Sequence, residues 1–382
     1  MKKIELIATA AFGLEAVLKR EIEALGFNIT KSEDGKITFE TELSGIPVAN
    51  INLRTADRVL LKMGEFKATT FEELFENVKS INWSEWIPMD GNFIVDGKSV
   101  KSKLFSISDC QSITEKAIVE SMKSKYNIGW FEKTGAKYRV QVAILKDIAT
   151  LTIDTSGAGL HKRGYRPKTS AAPIRETLAA ALVLLSYWNK DRLLIDPFCG
   201  SGTIAIEAAM IGKNIAPGLN RKFVSEEWEK IDKSLWKQAR IDALKKIDQD
   251  AELRILASDS DPKIIAVAED NAFEAGVDDC IEFKVENFYN LSLDPEEYGV
   301  MITNPPYGER LGSVGEAKRL YTYMGALMKD LKKWSKYVIT SFDNFESCYG
   351  QEADRRRKLY NGTIKVDYYQ YYGERPPKNT EE

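Results

Sequence analysis

The 382-residue chain holds one histidine, His161, and four scattered cysteines, Cys110, Cys199, Cys280 and Cys348, with no C-x-x-C pair. A single histidine argues against a Ser-His-Asp hydrolase and against a multi-histidine metal centre. Cysteines spaced this widely suit neither a zinc site nor a disulfide framework, so reduced thiols, no metal and a cytoplasmic setting are expected. No run approaches the roughly 18 apolar residues of a membrane span, so no membrane partner is expected, and the first residues lead into a helical pattern rather than a signal-peptide core. An excess of basic charge is missing too. Lys+Arg number 54 against 57 Asp+Glu, a net charge of −3, so any nucleic-acid contact has to come from local patches. A monomer is expected.

What is present is ordinary in bulk, with 43% hydrophobic and 29% charged residues, in a chain long enough for two or three domains. The first 66 residues read β-α-β-β-α-β, with a helical apolar stripe at Leu14, Val17, Leu18, Ile22 and Leu25 and an Asp34-Gly35 turn. That order predicts a ferredoxin-like α+β unit. A second segment from about 67 to 155 predicts a helix over 71–78, a strand near 92–96, a helix over 108–126 and a hairpin turning at Lys146-Asp147. The charged run Lys98–Lys103 inside it is expected to be a solvated loop.

Residues 154–168, D-T-S-G-A-G-L-H-K-R-G-Y-R-P-K, carry basic residues with no acid after Asp154 and one tyrosine among them. Two readings stand: an interdomain connector, or a phosphate-contacting strip with one stacking residue. The interleaving favours the second, with His161, Lys162, Arg163, Tyr165 and Arg166 as RNA contacts. A strip of that kind predicts salt-sensitive affinity.

From Leu193 the pattern becomes parallel α/β. Asp196-Pro-Phe-Cys-Gly200-Ser201-Gly202-Thr203 lies between a buried strand and a helix, where glycines permit a tight turn and a close ligand. It is neither G-x-G-x-x-G nor a phosphate-cradling G-x-x-x-x-G-K-[ST], so a nucleoside cofactor fits better than a dinucleotide or ATP. Asp259 ends the next strand and suits two ribose hydroxyls, while Asp261 before Pro262 reads as a helix N-cap. Asn287 follows a third strand where a base amine could be accepted, and Asn304 closes a fourth. The long charged stretch 213–252 reads as an insertion whose Trp228 and Trp236 pack rather than read bases. The tyrosines of 364–371 alternate as in a half-buried strand.

The strand 301–303 runs into Asn304-Pro305-Pro306-Tyr307-Gly308. Two prolines fix φ and remove two donors, so the turn presents rigid acceptors, Asn304 and the Pro305 carbonyl, ahead of a flat ring at Tyr307. Acceptors that grip the hydrogens of an aromatic amine localise its lone pair. The set resembles the Asn/Asp-Pro-Pro-Tyr/Phe signature of amino-methyltransferases and makes Asn304, Pro305, Pro306 and Tyr307 the catalytic candidates. Cys199 has no basic neighbour to activate it, which favours direct transfer.

Taken in order, D-T-S-G-A-G-L-H-K-R-G-Y-R, D-P-F-C-G-S-G-T, A-S-D-S-D-P and N-P-P-Y-G-E-R-L resemble THUMP-domain class I methyltransferases, and most closely the bacterial 23S rRNA guanine-N2 branch. The resemblance implies a Rossmann-like methyltransferase domain over 173–382, after a ferredoxin-like subdomain (1–66), a THUMP RNA-binding module (67–155) and a basic linker (156–172). It implies S-adenosylmethionine along Asp196, Gly200, Ser201, Gly202 and Thr203, with Asp259 on the ribose, Asn287 at the adenine and Asn304 closing the site. Asn287 stands where the family has aspartate. The implied reaction is methyl transfer to guanine N2 in RNA, in 23S rRNA or an assembling large subunit. Adenine-N6 transfer, a tRNA target and a non-catalytic RNA-binding or ribosome-assembly role stay open as alternatives.

Overall fold

The computed structural model describes residues 2–128, 130–166, 174–306 and 314–377. The chain divides into two units: residues 1–9, 19–160 and 222–242 form the first, and residues 10–18, 161–221 and 243–382 the second.

The first unit is built on β1 (Ile4–Thr9), β2 (Asn28–Glu33), β3 (Lys36–Thr41), β4 (Arg58–Lys67), β5 (Asn92–Val100), β6 (Lys137–Leu145) and β7 (Ile148–Asp154). Its helices are α1 (Glu15–Ala24), which begins in the second unit's segment, α2 (Gly45–Asn52), α3 (Phe71–Ser80) and α4 (Ile107–Tyr126). The expected β-α-β-β-α-β order is present, but the two N-terminal segments do not carry separate sheets. β4 pairs antiparallel with β7, so the strands join in one seven-stranded sheet of order β2-β3-β1-β4-β7-β6-β5. Thr70 and Glu73 start α3 with a reciprocal capping box.

In the second unit α5 (Glu176–Leu184), α6 (Thr203–Gly212), α8 (Pro262–Ala275), α9 (Val314–Met328) and α10 (Phe345–Tyr349) accompany β8 (Leu194–Asp196), β9 (Ile255–Asp259), β10 (Ile281–Val285), β11 (Val300–Thr303), β12 (Ser335–Thr340), β13 (Arg355–Asn361) and β14 (Ile364–Tyr371). The sheet order is β10-β9-β8-β11-β12-β14-β13, with the first five strands parallel and β14 and β13 antiparallel. The order reverses between β8 and β11, which places a ligand crevice outside their carboxyl ends. α5 and the first turns of α6 are buried almost all round, as their alanine-rich apolar sequences require. Met301, Tyr321, Trp334, Phe345 and Tyr369 form the centre of one large core. β14 is buried on both faces rather than half-buried: Tyr369 and Tyr371 belong to that core, and Tyr368 stacks on Tyr337 at 5.8 Å, so all three serve packing.

The stretch read as a single insertion in the C-terminal half is divided. Residues 222–242, including most of α7 (Lys233–Leu244), belong to the first unit. Trp228 stacks on Tyr138 at 4.8 Å and donates its indole N–H to the Lys137 carbonyl, and Trp236 stacks on Phe223 at 5.2 Å. Both tryptophans pack, as expected, but against the N-terminal unit. No helix of the described residues is long and apolar enough to cross a membrane.

Candidate active site

Adjacent strands β10, β9, β8 and β11 bring four predicted strand ends to one edge. There a cleft of about 700 Å³ is lined by Gly200, Asp259, Asn287 and Asn304, together with Phe198, Glu286, Phe288, Tyr289, Arg319 and others. The volume falls in the range of about 300–1,000 Å³ usual for small-molecule sites.

The turn after β8 uses its glycines differently. Gly200 has φ +52°, and a Cβ there would meet nothing within 4 Å; the backbone is open to a ligand. Gly202 has φ +82° and caps α6, and its Cβ would lie 3.1 Å from the Ala268 Cβ. Its role is to let the helix start and pack.

Asp196 is only 1% exposed; it accepts from the Thr303 hydroxyl at 2.7 Å, which ties β8 to β11, and from the Phe198 N–H at 3.3 Å. Burial pushes its carboxyl up to about 7, against the pull of those two donors. Burial also raises the Cys199 thiol, as do Asp196 and Asp259 beside it, which disfavours the thiolate that a nucleophilic sulfur requires.

Asp259 stands at the cleft, with one carboxylate oxygen accepting from the Gly200 N–H and the other from the Asp261 N–H, both at 3.1 Å. Each oxygen keeps a lone pair for a further donor. Asp261 caps α8 by accepting from the Lys263 N–H at 2.9 Å, the N-cap role expected of it. Asn287 also works locally, its amide oxygen accepting from the Tyr289 N–H at 3.0 Å. Asn304 and Pro306 line the cleft, and the Pro306 carbonyl accepts from the Tyr321 hydroxyl at 3.4 Å. Pro305 is buried. Tyr307 lies outside the described residues.

Ser201 and Thr203 do not line the cleft. Both are buried; the Ser201 carbonyl accepts from Asn271, and the Thr203 hydroxyl from Arg166 at 3.2 Å. The larger correction concerns the basic strip. Arg163 is 3% exposed and pairs with Glu207 of α6, to which the buried Tyr165 also donates at 3.0 Å. Arg166 pairs with Glu176 of α5 at 3.1 Å, with its side chain 5% exposed. These three cannot reach a phosphate or stack on a base in this fold, because acids from two later helices hold them inside. Of the five expected RNA contacts, Lys162 is exposed and His161 half-exposed, while Arg166 is half-exposed only through its backbone, its side chain being buried. Burial and the surrounding arginines and lysine pull the imidazole down to about 4.

Sequence reasoning missed an aromatic wall. Phe198 packs on Phe288 at 4.8 Å, and Tyr289 meets Tyr323 edge-on at 4.7 Å while its carbonyl accepts from the Tyr323 hydroxyl. The adjacent pair Phe288-Tyr289 after Asn287 was the available signal.

A five-stranded parallel arrangement ending in an antiparallel pair, with a glycine turn and an acid at successive strand ends, defines a class I methyltransferase fold. The methyltransferase domain of the RMKL-like family matches residues 163–370, the RlmL ferredoxin-like domain residues 5–60 and the THUMP domain residues 68–154. This chain belongs to that family of S-adenosylmethionine-dependent RNA methyltransferases. It is 52% identical to YpsC of Bacillus subtilis (strain 168), over 99% of this chain and 98% of that one; YpsC carries a provisional name as an RNA methyltransferase. It is 36% identical to the ribosomal RNA large subunit methyltransferase K/L of Psychromonas ingrahamii, over 93% of this chain but 48% of that protein, so it spans about half of that relative. A solved structure of SMU.472 complexed with SAH superposes with a TM-score of 0.92 at 42% identity, covering 99% of this chain and 100% of that one.

Proposed function

We propose that this protein transfers a methyl group from S-adenosylmethionine to the exocyclic N2 amine of a guanine in RNA, with 23S rRNA as its target. The observation that carries the reading is Asn304 on the cleft at the end of β11, on the same lining as Asp259 and the open Gly200. The large-subunit rRNA name of the K/L relatives and the THUMP match support the RNA target.

The cofactor supplies a sulfonium methyl, an electrophile that needs no metal. Asp259, held by two backbone N–H groups, takes the ribose hydroxyls on its remaining lone pairs. The second lone pair of the Asn287 oxygen, and Glu286 beside it, serve the adenine end, while Gly200 leaves the backbone exposed. Asn304 and the Pro305 carbonyl accept the amine hydrogens and localise the nitrogen lone pair, and Tyr307 stacks on the base, which must be unpaired or flipped out to enter. Positioning supplies most of the rate, and the proton leaves to solvent after transfer. The amine attacks the methyl directly, a route favoured by the burial of the Cys199 thiol and its raised titration. Asn304→Ala is expected to lower turnover at least about 100-fold, the scale of losing one aimed polar group, with S-adenosylmethionine binding by calorimetry unchanged. Undiminished turnover refutes the role.

A further inference from the structure

β12 is parallel to β11, with Val338 opposite Thr303, so its last residue, Thr340, lies level with the Asn304-Pro305 turn. β14 runs antiparallel to β12 with Asp367 opposite Thr340. Ile364 and the Gly362 turn therefore project beyond that edge by three or more residues, about 10 Å. The β13–β14 hairpin tip stands on the same side of the sheet as the cleft, two to three strands from Asn304.

Its composition suits a polyanion with bases. Tyr360 lies opposite Lys365, and Lys358 sits two residues along the same face, with its ammonium 5.7 Å from the Tyr360 ring. Among the described residues no carboxylate lies within ion-pair distance of Lys358. Asp367, the acid of this face, is taken by Arg356 at 2.7 Å, and Lys365 only reaches it at 4.0 Å. The Arg175 backbone N–H donates to Asn361 at 3.3 Å, and its guanidinium lies 3.6 Å from where a Gly362 Cβ would stand, which sets a further cation beside the turn. Phe12, 54% exposed, meets Tyr360 edge-on at 6.4 Å. The segment carrying Phe12 is held there by Gly13, whose φ is +92° and whose Cβ would fall 2.7 Å from the Lys358 carbonyl. The fold thus places two aromatics among four cations.

We propose that this rim, Phe12, Arg175, Lys358, Tyr360 and Lys365, holds the single-stranded RNA flanking the base that enters the cleft: the cations take its phosphates, and Tyr360 with Phe12 stacks one base. The proposal rests on RNA being the substrate.

The test uses the full chain and a mixed-sequence single-stranded oligoribonucleotide, with affinity measured across a salt series. Lys358→Gln/Lys365→Gln removes two phosphate contacts, so the slope of log K against log salt should fall by about 1.4, and affinity at 0.1 M salt by about tenfold. Tyr360→Leu, which keeps bulk, should weaken binding about fivefold or more with little change in slope. S-adenosylmethionine affinity and the thermal midpoint should stay at wild-type values in both. Unaltered affinity and slope in both variants overturn the rim. The affinity measurement needs no turnover, so it is separate from the proposed reaction: wild-type protein that methylates no RNA removes the reaction, whereas variants that bind RNA as the wild type does remove only the rim.

Discussion

Residues 161–166 read H-K-R-G-Y-R and residues 355–360 read R-R-R-K-L-Y; both are basic and carry a tyrosine. In the fold they part. Arg163, Tyr165 and Arg166 turn inward onto Glu207 and Glu176, while Arg355, Arg356 and Lys358 are exposed on an edge strand. The first stretch has no acid in its own neighbourhood, yet it meets two acids brought by α5 and α6. The second meets Asp367 and Glu346, which engage Arg356 and leave Lys358 over an aromatic ring. Local charge excess therefore did not decide exposure; the partners supplied by distant elements did. A buried ion pair holds two elements together, and an unpaired lysine on a rim is free to hold a phosphate.

The comparison breaks first at Glu207. Glu207→Ala leaves the buried Arg163 without its carboxylate and should cost about 3–5 kcal/mol of stability, read by denaturant unfolding, with the RNA affinity of the folded fraction preserved. Loss of RNA affinity without loss of stability would return the strip to an RNA-binding role. Tyr165→Phe removes one hydrogen bond to a carboxylate and should cost about 1–3 kcal/mol, again without effect on RNA.

Burial also governs Asp196. Its carboxyl, 3.8 in the ordinary range and about 7 in the fold, keeps a proton that the unfolded chain has released between those values. Its contribution to stability should fall as pH rises from about 4 to about 7. His161, with its imidazole lowered to about 4, contributes with the opposite sign up to about 6.5, so the Asp196 part is read as the difference between wild type and variant. Asp196→Asn, which retains an acceptor for Thr303, should flatten that fall in thermal midpoint; a profile identical to the wild type would contradict the assignment. Smallest of all, Lys358→Gln should move stability by no more than about 0.5 kcal/mol, the expected mark of a surface cation.

Much of this was legible in local order. The ferredoxin-like β-α-β-β-α-β run, the glycine turn after β8, the Asp261 cap and the strand that stops at Asn304-Pro305-Pro306 all depend on neighbours in sequence. What was not legible depends on pairing across the chain. The union of β4 with β7 into one N-terminal sheet is a long-range register, and so is the departure of residues 222–242 to the first unit. The same holds at the site: Ser201 and Thr203 look like ligand contacts in the motif but are turned into the packing, and the Phe198-Phe288 contact joins residues 90 apart. The β14 tyrosines do pack, but not by the expected alternation of a half-buried strand, since residues 366–371 are buried on both faces; Tyr360 on the neighbouring strand gained significance only from its place beyond β12.

The most direct test of the central claim is nucleoside mass spectrometry of 23S rRNA, taken from cells lacking this protein and incubated with the purified chain and isotope-labelled S-adenosylmethionine. The account predicts labelled N2-methylguanosine, absent when Asn304→Ala replaces the wild type. Label in N6-methyladenosine, or no label in RNA from a protein that binds the cofactor, would contradict it.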